Sequence, residues 1–92
     1  MPLLFAKRQE TEPERFIVWE PSTVDERPAL RPLADVLVRA ASGEAQVRVT
    51  SEVASEILSY LDLRWEEKYP GMRPSPAMVW HEGAYYSVVL AV

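Results

Sequence analysis

The chain has 92 residues, 48% of them hydrophobic, with eight prolines, three glycines, one histidine, no cysteine and a formal net charge of −4. These counts exclude a disulfide framework, a zinc ribbon, an iron–sulfur cluster and a thiol nucleophile, and the lack of asparagine excludes Asn-linked glycosylation. By surface-to-mass scaling, a chain of this size buries roughly 64% of its extended surface on folding, which supports one small core and a single domain over residues 1–92.

Nine aromatic residues separate the sequence from disordered chains. The longest apolar run, residues 88–92, is far below the roughly 20 residues of a membrane span. At the start, the apolar residues precede Lys7 and Arg8, which reverses the order of a signal peptide. The expectation is a cytoplasmic protein that does not contact membranes. Eight arginines against two lysines, with no asparagine, fit a GC-rich or thermophilic host.

Taken in chain order, residues 3–7 are expected as a strand forming a hairpin with residues 15–20. The latter lack clean alternation and read as a buried strand. Thr23-Val24-Asp25-Glu26 has the form of a capping box, but Pro28 and Pro32 restrict any helix there to a single turn. Leu30, Leu33, Ala34, Leu37, Val38 and Ala41 follow helical spacing, which predicts a helix over 33–41 with Pro32 in its first turn and Gly43 as its stop. In residues 44–50, Ala45, Val47 and Val49 alternate with polar residues, as a half-buried strand requires.

The strongest helical signal spans 51–69. Val53, Ala54, Ile57, Leu58, Tyr60, Leu61 and Trp65 share one arc, opposite Glu52, Ser55, Glu56, Ser59, Asp62, Glu66 and Glu67. Thr50 or Ser51 caps it, and Pro70-Gly71 ends it. A proline-rich link over 69–76 leads to a C-terminal β-hairpin, 77–81 and 85–92, turning through Glu82-Gly83-Ala84. The order (β)-β-α-β-α-β-β predicts an α+β protein: a two-layer α/β sandwich with a mixed four- or five-stranded sheet and two helices on one face.

For chemistry, His81 is the one side chain that ordinarily titrates near neutrality, and Glu82 stands beside it. The simpler reading is an exposed histidine at a hairpin tip, because no activated nucleophile or phosphate loop accompanies it. The i, i+4 pairs Glu52/Glu56 and Asp62/Glu66 have spacing for a divalent cation, yet read more simply as a solvated acidic face. No metal or cofactor is therefore expected, and the balance leans away from an enzyme.

Two surfaces point to binding instead. The like-charge pairs on the long helix weaken it in isolation, and Leu63 sits among them. Glu56, Ser59, Leu63, Glu66 and Glu67 are the expected surface for a basic protein partner. The last strand is apolar on both sides, with Tyr86, Val88, Leu90 and Val92 on one and Tyr85, Val89 and Ala91 on the other. A chain this small has no third layer to cover the second set. Self-association would bury whichever set is left open, and Tyr86, Val88 and Leu90 are the residues expected in a homo-oligomer contact. The aromatic and arginine content is compatible with stacking on nucleic acid, but the net charge opposes phosphate binding. The expectation is a non-catalytic interaction or self-associating module, with a small-ligand or metal-dependent site at His81 and Glu82 as the alternative.

Overall fold

The computed structural model describes residues 1–74 and 76–91; Ser75 and Val92, the latter expected at the end of the last strand, lie outside the described residues. The strands are β1 (Leu3–Gln9), β2 (Ile17–Val18), β3 (Glu44–Arg48), β4 (Ala77–His81) and β5 (Ala84–Ala91). The helices are α1 (Thr23–Glu26), α2 (Arg31–Arg39) and α3 (Ser51–Lys68). The strands form one mixed sheet in the order β2-β4-β5-β1-β3. Only β2 and β4 run parallel; the other neighbours are antiparallel. The result is the expected α+β sandwich with its C-terminal hairpin, and its radius of gyration of 12.0 Å matches the roughly 12 Å of a compact chain of this length.

The N-terminal pairing differs from expectation. β1 does not form a hairpin with residues 15–20; it lies between β5 and β3. The reason is the length of ladder available. Against β5, β1 pairs from Leu3↔Ala91 to Gln9↔Tyr85, whereas the segment 15–20 contributes only Ile17 and Val18 as strand. Nor is that segment a fully buried strand: Ile17 and Trp19 point into the core, while Val18 is half-buried at the sheet edge. Pro13 and Pro21 bracket it and supply no N–H to a ladder.

The helices form for the local reasons that the residues suggest, with three adjustments. α1 is a single turn whose N-cap, Ser22, makes no side-chain capping bond, so the capping box is not realised. α2 starts at Arg31, two residues earlier than expected, with Pro32 in its first turn, and a 3-10 turn over Ala40–Ser42 carries the chain to Gly43. On α3 the cap is Thr50, whose hydroxyl accepts from the Val53 amide at 3.1 Å. Leu58 lies outside the buried stripe and is 43% exposed. A helix resting on a sheet buries a stripe narrower than its whole apolar arc, here Ala54, Ile57, Tyr60, Leu61 and Trp65.

Both long helices cover the same face of the sheet. Leu33, Val36 and Leu37 of α2 and Ile57, Leu61 and Trp65 of α3 enclose Leu4, Ala6, Val79, Tyr86 and Val88 in a single buried cluster. The hairpin turn is tighter than expected, because Ala84 already pairs with His81. Its two central residues, Glu82 (φ 45°) and Gly83 (φ 81°), both have positive φ, as a type I′ turn demands.

Candidate functional site on the open face and free edge of the sheet

Alternation along the strands sorts the sheet into two faces. Even-numbered residues of β5 and odd-numbered residues of β4 point toward the helices; their neighbours point to the uncovered side. Across that uncovered side, the registers align Arg48 with Leu3 and Ala91, Gln46 with Phe5 and Val89, and Glu44 with Lys7, Ser87 and Met78. A final row holds Gln9, Tyr85, Trp80 and Val18.

This face has two apolar ends separated by polar side chains. At the aromatic end, Tyr85 is partly covered by the 10–16 connection. Its hydroxyl donates to Glu12 at 2.8 Å, and Phe16 packs edge-on against its ring at 4.9 Å. The hydrogen bond to Glu12 raises the Tyr85 pKa above its ordinary value. Between the ends, Gln9 donates to the Ser87 hydroxyl at 3.1 Å. The other end, Leu3, Phe5, Val89 and Ala91, has no such cover, and Val89 is 45% exposed. A shallow depression of about 530 Å³ runs there, lined by Phe5, Lys7, Glu44, Gln46 and Val89.

Of the sheet residues expected in a contact, Tyr86 (2% exposed) and Val88 belong to the core beneath the helices, and Leu90 is half-buried on that same side. The other set on β5, with Val89 at its centre, occupies the open face. Sequence alternation distinguished the two sets but not which one the helices would cover. Phe5 and the strand β3 were missed as surface features, although the spacing of Glu44, Gln46 and Arg48 already placed them on the polar side of a half-buried strand.

The acidic surface of α3 is partly committed within the chain. Glu56 accepts from the Arg27 guanidinium at 2.9 Å, and both oxygens of Glu66 accept from the Gly71 amide at 3.2 Å, closing the turn after the helix. These contacts offset the like-charge spacing that looked unfavourable for an isolated helix. Ser59 and Glu67 are exposed, and Leu63 is 56% exposed beside them.

His81 is not exposed at the hairpin tip. It follows Ala77 and Val79 on the inward side of β4, is 7% exposed, and its Nε2 has no hydrogen-bond partner among the described residues. Glu82 is exposed on the turn, and its carboxylate lies 3.9 Å from that nitrogen, too far for a hydrogen bond. Neither residue lines the depression on the open face or any of four other surface depressions on the molecule. Among the described residues, no three His, Asp or Glu side chains converge as metal ligands, and no helix is long and apolar enough to cross a membrane. Trp19 and Trp65 are core residues. Compared with family models, curated proteins and solved structures, the chain finds no match.

Proposed function

We propose that this chain is a non-catalytic protein-binding module, using the open face of its sheet as the main contact and the Ser59–Leu63–Glu67 surface of α3 as a secondary one. One observation carries the reading. Both long helices lie on one side of the sheet, leaving Leu3, Phe5, Val89 and Ala91 without a covering layer. Antiparallel sheets normally pair one apolar face with one solvated face, so an apolar corner on the second face gains free energy when a partner covers it. Val89 is 45% exposed and Phe5 is half-buried, so covering what remains of each contributes about 1 kcal/mol, roughly half or less of the value for full burial from water.

The test compares wild type with Val89→Arg and Leu63→Arg in sedimentation velocity and in capture from a lysate of the source cells. Both substitutions are at exposed positions, so melting temperature should not change. Val89→Arg should abolish self-association or the capture of any specific partner, and Leu63→Arg should weaken a basic partner in a salt-sensitive way. Val89→Arg protein that associates and captures like wild type would overturn the reading.

A further inference from the structure

β3 ends the sheet, and its outer edge has an unusual symmetry. Its inner edge bonds to β1 through one parity of residues: the Arg8 amide donates to the Gly43 carbonyl, and the Val49 amide donates to the Pro2 carbonyl. In an antiparallel ladder, bonded and non-bonded pairs alternate. The odd-numbered residues of β3 therefore turn their backbone groups to β1, while Glu44, Gln46 and Arg48 turn theirs outward, away from the sheet.

Edges that are kept monomeric usually carry proline, a bulge, or charges of one sign that repel a second copy. β3 has none of these. It contains no proline, its register with β1 runs without interruption from Arg48 to Glu44, and its two charges are opposite. Those charges sit at equal distances on either side of Gln46, and neither takes part in an ion pair among the described residues. Four residues apart on an extended strand, they are roughly 13 Å from each other and cannot pair within one chain. Such a pattern is complementary to itself when reversed.

We propose that β3 pairs antiparallel with β3 of a second copy, about a two-fold axis through Gln46. This rests on the binding-module reading above and adds the partner and the register. Glu44 of each copy then stands opposite Arg48 of the other, Gln46 meets Gln46, and the outward amides and carbonyls of all three residues are satisfied. The two sheets become one. The contact is isologous, as a closed dimer requires, and the depressions bounded by Phe5, Glu44, Gln46 and Val89 come side by side as one larger open face.

The experiment is sedimentation velocity at high micromolar concentration in low salt. Wild type should have the dimer mass. Glu44→Arg and Arg48→Glu each place like charges opposite one another twice in the dimer and should weaken it about tenfold. The double variant Glu44→Arg/Arg48→Glu restores the complementarity and should recover the dimer. Because the chain has no cysteine, Gln46→Cys introduces a unique thiol on the axis and should give a disulfide-linked dimer on mild oxidation, whereas Val89→Cys should not.

A monomer mass for wild type, single variants that leave the dimer unchanged, or a double variant that fails to recover it overturns the proposal. A dimer broken by Val89→Arg but not by Glu44→Arg overturns the edge pairing and leaves the open-face reading standing. A charge-dependent edge dimer whose specific partners all survive Val89→Arg supports the pairing and overturns the open-face reading.

Discussion

The hydroxyl of Tyr69, just beyond the end of α3, holds both backbone groups of Phe16: it accepts from the amide at 2.9 Å and donates to the carbonyl at 3.1 Å. Lys68 donates to the same carbonyl at 2.8 Å, and its Nζ sits 4.3 Å above the Phe16 ring. The two-residue strand β2 is thus secured by a helix terminus as well as by its parallel neighbour β4.

Tyr69→Phe removes that clamp and leaves a partly buried amide without its acceptor. The expected loss is about 1–2 kcal/mol in urea unfolding, together with faster amide exchange at Ile17 and Val18 than elsewhere in the sheet. Unchanged exchange at those two residues would show that β4 alone holds β2.

The hairpin turn contains a residue at odds with its conformation. Glu82 has φ 45°, a region in which a side chain with Cβ is strained and which Asn tolerates better. Asn-Gly is the favoured pair for a turn with positive φ at both central residues. Glu82→Asn should therefore raise stability by about 0.5–1 kcal/mol, corresponding to a melting temperature about 2–8 °C higher. The exposed carboxylate contributes no hydrogen bond that would offset this gain.

Tyr60 sets an alkaline limit. Burial pushes its hydroxyl above the ordinary tyrosine value, against the pull of the Arg64 guanidinium, and the hydroxyl faces Thr23 without a well-formed hydrogen bond. The folded state therefore keeps a proton that the unfolded chain releases. This contribution is fully present below the unfolded value near pH 10 and is lost as pH rises toward and through the raised folded value. Urea midpoints should fall between about pH 9 and pH 11 in wild type and fall less in Tyr60→Phe. At neutral pH, Tyr60→Phe should be as stable as wild type or more so, by up to about 1 kcal/mol, because an unsatisfied buried hydroxyl is removed.

Thr50 is the cap of the longest helix. Thr50→Ala leaves the Val53 amide without its acceptor and should cost about 1 kcal/mol. Thr50→Asp should recover most of it, since Asp caps as well and suits the positive end of the helix dipole. A Thr50→Asp variant no more stable than Thr50→Ala would show that the bond to Val53 matters less than other contacts at this position.

The sequence by itself determined what depends on neighbours along the chain. The spacing of Leu33 and Leu37, the run from Ala54 to Trp65, the alternation of 45, 47 and 49, and Gly83 between two strand signals defined α2, α3, β3 and the hairpin. In each case the period of the apolar residues selects the backbone geometry that puts them on one side. The acidic helix was also legible, because it is a property of one helix.

Only the tertiary structure decided which strands meet and which surface stays uncovered. β1 could satisfy its hydrogen bonds against any strand, and the longer ladder with β5 prevailed over a short hairpin with residues 15–20. That choice put Phe5 beside Val89, sent Tyr86 and His81 into the core, and left β3 at the edge. Glu56 and Glu66 looked free in the sequence because their partners, Arg27 and the Gly71 amide, reach them only when the 3-10 turn over Pro28–Leu30 packs beside α3 and the chain turns after the helix. Hydrophobic periodicity says which residues share a face, but strand order says which face is covered and which edge is free, and it is set by contacts between residues far apart in the chain.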